Sequence, residues 1–195
     1  MDFKNFRKVN LSELQCLPSL VFFQECLGSD ALLLEAHESY QKGGFRNRYF
    51  IQTSQGPLEM SIPLQGGRNV RALIQEVKVD DRLPWRWNHL QSIETAYRST
   101  PYYEYLAPEL KEILLMPTDS LWELNHALLR WVWSVLRWDK FIGKTTDFYL
   151  DYSDENVVDL RKNARKKEGD SLSILHYLFH FGPELALILE NENNG

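Results

Sequence analysis

The sequence predicts an α+β domain. A mixed β-sheet with a hairpin comes from the N-terminal half, and helices drawn mostly from the C-terminal half pack against it. Three observations predict this. The clearest strand signals fall before residue 80. The strongest helical periodicity falls at residues 120–138. A length of 195 residues suits one domain. An open α/β sheet starting with residues 11–17 is the alternative architecture.

The elements follow in order. Residues 1–10 are polar and expected to be loosely held. Residues 11–17 read as a strand. Pro18 suits a helix start, and residues 19–27 read as a helix ending at Gly28. The apolar run 31–36 reads as a buried strand. Residues 48–53 and 58–64 flank Ser54-Gln55-Gly56-Pro57 and predict a hairpin. Leu58, Met60, Ile62 and Leu64 alternate there with Glu59, Ser61 and Pro63. Pro63 lacks a backbone donor, so that end belongs at an edge or strand terminus. Residues 74–79 read as a further strand.

Helices dominate beyond Pro84. Residues 85–98 form one, stopped near Pro101. Residues 107–115 form a second, with Pro108 in its first turn. In 120–138, Ser120 and Glu123 have the spacing of a capping box. Leu121, Leu124, Leu128, Trp131, Val132, Val135 and Leu136 recur on one face. Residues 141–150 read as a strand, and 172–189 as a helix broken at Gly182-Pro183. The charged tract 161–170 reads as an exposed loop and 191–195 as a disordered tail.

Composition excludes several function classes. A net charge of −5 argues against nucleic acid as a partner, because phosphate neutralisation needs a basic surface. The two cysteines, Cys16 and Cys26, are too few for a secreted disulfide scaffold and read as buried thiols. No stretch reaches the roughly 18 apolar residues of a membrane span, and the N-terminus lacks an apolar leader core. A cytoplasmic protein is the expectation.

The densest polar cluster is Tyr40-Gln41-Lys42-Gly43-Gly44-Phe45-Arg46-Asn47-Arg48. Glycines let backbone N–H groups approach a ligand, and arginine offers a planar fork for carboxylate or phosphate. Between two strands, this loop suits an anion; as a plain turn, its charges would be solvated. Alternation places Arg46 and Arg48 on one strand face and Asn47 on the other. Upstream, Glu35-Ala36-His37-Glu38 sets two carboxylates beside an imidazole, a composition usable for acid–base work or a metal, without a ligand spacing that favours either.

His176 and His180 share a helix face, which admits a metal pair or two core histidines. Neither they nor the acidic cluster reaches the ligand count of a closed metal site, so neither a metal nor a cofactor is expected. His89 and Ser92 share a helical turn. Trp85, Trp87, Tyr97, Tyr102, Tyr103 and Tyr105 bracket that helix, either to stack on a ring-shaped ligand or to pack a core.

Four blocks resemble the WbqC-like family. They are 17–23 with 31–35; 38–42 with 46–48 and 58–64; 87–93 with Ala96-Tyr97 and 101–103; and 172–175 with 179–184. Together they span residues 17 to 184. Relatives often lie among surface-polysaccharide genes, and a role in transferring an acyl, aminoacyl or sugar-derived group has been inferred for them. The resemblance therefore implies a bacterial group-transfer protein. Two departures stand out. Relatives often open with His-Gln-Pro, where this chain has Leu14-Gln15-Cys16-Leu17-Pro18. The segment before the Leu-Ser-Ile-Leu block is also shorter here.

The resulting expectation is a group-transfer protein of surface-polysaccharide biosynthesis. It would bind an anionic, nucleotide- or carrier-linked substrate. Lys42, Arg46 and Arg48 would hold the anion, with Gln41, Asn47, Ser92 and Tyr97 lining the site. His89 or Glu38 would act as base. The alternative is a non-catalytic binding or scaffold protein of an envelope-biosynthesis system. A homodimer is compatible with either reading.

Overall fold

The computed structural model describes residues 6–67, 71–147, 156–161 and 172–192. The architecture is α+β. Four parallel strands form one sheet in the order β5-β2-β1-β6, and two antiparallel strands, β3 and β4, form a separate hairpin. In chain order β1 is Val9–Ser12, β2 Ala31–Leu34, β3 Arg48–Thr53, β4 Gly56–Ser61, β5 Phe141–Lys144 and β6 Val157–Asp159. The strands expected from the N-terminal half thus divide between two sheets. Two strands from the C-terminal half complete the larger one.

Every residue of β1 and β2 is buried. A parallel strand covered on both faces needs a continuous apolar run rather than alternation, and Ala31-Leu32-Leu33-Leu34 is one. Helix α1, Leu20–Leu27, crosses between these two strands. Its C-terminal carbonyls are held by the Lys140 ammonium, which donates to Cys26 O at 2.9 Å, to Leu27 O, and to Ser29 O at 3.0 Å. A cation there also meets the negative end of the helix dipole. Cys16 and Cys26 are buried free thiols. Val9 and Asn10 begin β1 and are fully buried, so order reaches into the stretch expected to be loose.

Beyond the hairpin lie α2 (Trp85–Tyr97), α3 (Tyr103–Leu114) and α4 (Leu121–Val135), then α5 (Ile174–Phe181) and α6 (Leu185–Glu192). The apolar face of α4 supplies the centre of the core, and Ser120 caps it by accepting from Glu123 N. α5 ends at Gly182, where φ is +55° and a Cβ would lie 2.4 Å from the Tyr102 ring. Only glycine satisfies both demands.

Several elements differ from expectation, among them the first strand, which runs Val9–Ser12 rather than over residues 11–17. Residues 74–79 form no strand. Ile74–Glu76 is a 3₁₀ turn whose Glu76 carboxylate accepts from Leu73 N, and Lys78 and Val79 make only single bridges to Ser120 and Leu64. α3 begins at Tyr103, so Pro108 lies inside the helix rather than in its first turn. β5 stops at Lys144; residues 148–150 of the longer strand expected there, most of the charged tract, the first five residues and the end of the tail lie outside the described residues. Among the described residues, no helix is long and apolar enough to cross a membrane.

Candidate functional site

All four parallel strands point their carboxyl ends the same way. The chain runs β1, β2, β5 in one direction across the sheet, then returns to place β6 on the other side of β1. Open parallel sheets take ligands outside the carboxyl ends where strand order reverses. Here the residues just past those ends are Glu13, Glu35, Thr145 and Arg161. They form a buried ionic cluster with Glu38, Arg46 and Asp159. Thr145 Oγ1 donates to Glu35 Oε1 at 2.8 Å, and Arg161 Nε donates to Asp159 Oδ1 at 2.9 Å. Arg46 is at its centre, 3% exposed. Its Nε and Nη2 fork onto Glu38 at 2.8 and 2.7 Å, and Nη2 also reaches Glu13 at 2.7 Å. Burial alone would pull this guanidinium down; Glu38 and Glu13 more than reverse that and hold it above its ordinary value.

The usual phosphate position of such sheets, the turn after β1, is filled. Leu14, Cys16 and Leu17 are buried there, and no glycine is present. Cys16 N donates to Phe45 O at 2.8 Å, which ties this turn to the basic loop.

That loop is anchored from beneath. Arg46 binds the acidic pair, and its carbonyl accepts from Asn125 Nδ2 at 2.6 Å. Asn47 accepts from Tyr40 Oη at 2.9 Å and donates to Ile62 O at 2.9 Å. Gly44 is needed by close approach, since a Cβ would lie 2.8 Å from Arg46 Nη1. Tyr40, Lys42, Gly43, Asn47, Arg48 and Glu59 border a cleft of about 670 Å³. The three cations expected to act together do not. Arg46 is buried and neutralised, Arg48 pairs with Glu59 at 3.0 Å, and Lys42 has no ion pair among the described residues. Gln41 is exposed on the loop, with Nε2 3.4 Å from Ser39 O.

His89 lies apart. The buried stripe of α2 is Trp85, His89, Ile93 and Tyr97, so His89 is in the packed face rather than at its margin. Its Nε2 is 3.3 Å from Ser61 O and its Nδ1 is 3.0 Å from Tyr49 Oη. A carbonyl only accepts, so Nε2 carries the proton and Nδ1 accepts from the tyrosine. Burial pushes its pKa down to about 4, against the opposing pull of the Ser61 carbonyl. The imidazole is neutral, and both nitrogens are engaged in holding β4 and β3 to α2.

Ser92 and Tyr97 border another cleft, of about 1060 Å³, together with His176 and His180. The two histidine rings are 4.5 Å apart, and His180 Nδ1 donates to His176 O at 2.6 Å. Tyr97 is nearly fully buried, and its hydroxyl accepts from Gln52 N at 2.9 Å. The expected site residues therefore divide between a loop cleft, a buried anchor and a second cleft. Glu13 and Arg161 were not singled out from the sequence. The available signal was a charged residue close behind a short strand-like run.

The fold and cluster define a small parallel-sheet domain whose polar residues gather at the carboxyl ends of its strands. Residues 15–171 match the WbqC-like protein family, and the chain belongs to it. It is also 26% identical over 164 residues to Rv1507c of Mycobacterium tuberculosis (strain ATCC 25618 / H37Rv), a protein described as uncharacterised, covering 83% of this chain and 71% of that one. No solved structure matches it.

Proposed function

We propose that this chain is a group-transfer protein that binds an anionic, nucleotide- or carrier-linked substrate, in the surface-polysaccharide setting that its family resemblance implies. One observation carries the reading: the loop 41–48 is anchored by a buried guanidinium and presents Lys42 and Gly43 at the mouth of a cleft. Burying an ion pair is costly, and well-packed apolar side chains would stabilise the fold as well or better. What the arrangement supplies is a fixed loop, and a fixed loop binds with less ordering cost.

In this reading Lys42 contacts the substrate's anionic group and Arg48 borders it. Arg46, Glu38 and Asn47 are positioning residues beneath them. His89 is also a positioning residue, because a base needs a free nitrogen within reach of the proton it takes. Gln41 lies at the rim. Ser92 and Tyr97, in the other cleft, are left out of the substrate contacts.

Calorimetric titration with a nucleoside-diphosphate sugar and with an acyl-coenzyme A tests this. The expected result is saturable binding of one of them, weakened about tenfold in Lys42→Ala, the loss of one charge-assisted contact. The melting temperature should stay in place. Unchanged affinity in Lys42→Ala would remove the loop from the site. Binding of neither compound would favour the scaffold reading.

A further inference from the structure

The chain has a second place where cations converge, and there they are unpaired among the described residues. α4 runs beside β5, the edge strand of the parallel sheet, and a groove of about 1030 Å³ lies between them and α3. His126 and Arg130, one helical turn apart, face Lys144 of β5 across it. Arg130 and Lys144 are exposed and make no ion pair among the described residues, unlike Arg46 and Arg48. Burial, then Arg130 and Lys144, holds His126 below its ordinary value, which places all three groups in one electrostatic neighbourhood.

Further groups lie along the groove. Trp131 borders it, is 3% exposed, and has its indole N–H buried without a partner among the described residues. On β5, Phe141 N and Thr145 N donate to Asp30 O and Leu34 O on the β2 side. Alternation turns the N–H groups of Ile142 and Lys144 the other way, to the open edge that lines the groove. The acidic residues Glu109 and Glu123 border it as well. Glu123 lies seven residues, roughly 10 Å along the helix axis, before Arg130, and accepts from the Thr118 hydroxyl. The Glu123 carboxylate is thus engaged and set back along the helix from Arg130.

We infer that the α4–β5 groove is a binding site for a phosphate-bearing small ligand, separate from the loop cleft, with Arg130 and Lys144 as its charged contacts. A guanidinium fork, an ammonium and outward amides offer more donors than the two oxygens of a carboxylate accept. The three terminal oxygens of a phosphate match them. Trp122, half-buried at the groove wall, supplies an apolar surface for whatever carries the phosphate.

Inorganic pyrophosphate, titrated into the intact chain and followed by calorimetry and by the indole and imidazole NMR signals, tests the site. The expected result is saturable binding that shifts the Trp131 indole resonance and raises the titration of His126. The doubly substituted Arg130→Gln, Lys144→Gln protein should bind at least about tenfold more weakly, as two charge-assisted contacts are lost. The Trp131 shift reports this groove alone and should be lost in the double variant. Both substituted side chains are exposed, so folding is preserved. Equal binding by the double variant, a Trp131 shift that survives in it, or no saturable binding at millimolar pyrophosphate would each overturn the inference.

Discussion

The basic loop and the α4–β5 groove both bring cations together, yet they put them to opposite uses. In the loop, Arg46 is surrounded by Glu13 and Glu38, and Arg48 is paired with Glu59. In the groove, Arg130 and Lys144 are exposed, lie beside His126, and make no ion pair among the described residues. The loop is conspicuous in sequence because its charges are contiguous; the groove is invisible there because its charges come from a helix and a strand 14 residues apart. Contiguous charge marks where a chain needs anchoring as readily as where it binds. What distinguishes the two is pairing, and pairing is a property of the fold.

The largest effect that would break this comparison is at Arg46. If it is an anchor, Arg46→Met removes the guanidinium that Glu13 and Glu38 share in the interior. Urea denaturation should then register a loss of about 3–5 kcal/mol. The same substitution at Arg130 should change stability by no more than about 0.5 kcal/mol, as an exposed site without partners does. A loss at Arg46 below 1 kcal/mol would return its charge to the pool available for ligands.

His89 sharpens the same contrast between structural and available groups. Its folded pKa lies at about 4, below the ordinary 6.5. The unfolded chain therefore takes up the proton first. The neutral imidazole's contribution is complete above pH 6.5 and is lost as pH falls toward 4. The total is on the order of 3 kcal/mol at 1.36 kcal/mol per pH unit. His89→Gln should flatten this part of the stability profile, measured by denaturation at pH 7, 5.5 and 4. A profile as steep as the parent's would mean that other groups carry it.

Much of the fold was legible because local rules and tertiary context agreed. Residues 48–53 match β3, and the periodicity of 120–138 gave α4 to within three residues at its C-terminal end. That end is set by Arg137 at φ +54°, a left-handed residue without glycine, which no sequence pattern announces. The strand expected at 74–79 failed because its apolar residues are buried by single bridges and a turn rather than by a ladder. The site was legible only in part. Glu38, Lys42 and Arg46 were singled out as chemistry-bearing residues. The partners that decide their roles, Glu13 and Asn125, lie 33 and 79 residues from Arg46. His89 reads as a marginal residue only until the true stripe of α2, spaced at four residues from Trp85, is known.

Among the loop and its supports, the smallest loss is expected at Gly44, and it tests how rigidly the loop is held. A Cβ at this position would lie 2.8 Å from Arg46 Nη1 and 3.8 Å from Glu13 Oε1. The nearer atom is the end of a side chain, so in most settings it would move aside cheaply. Here Nε and Nη2 of the same guanidinium are fixed on two carboxylates, and a planar group cannot shift one nitrogen without moving the others. Gly44→Ala should therefore cost about 1 kcal/mol, within the range typical of overpacking a filled site. It should leave the pyrophosphate affinity of the α4–β5 groove unchanged. If Arg46 is held less firmly than the contacts imply, the methyl group is accommodated. The lower entropy of the unfolded alanine chain then makes the variant slightly more stable, by about 0.4–1 kcal/mol. The sign of that difference, read from paired urea titrations of the two proteins, separates a clamped loop from a yielding one.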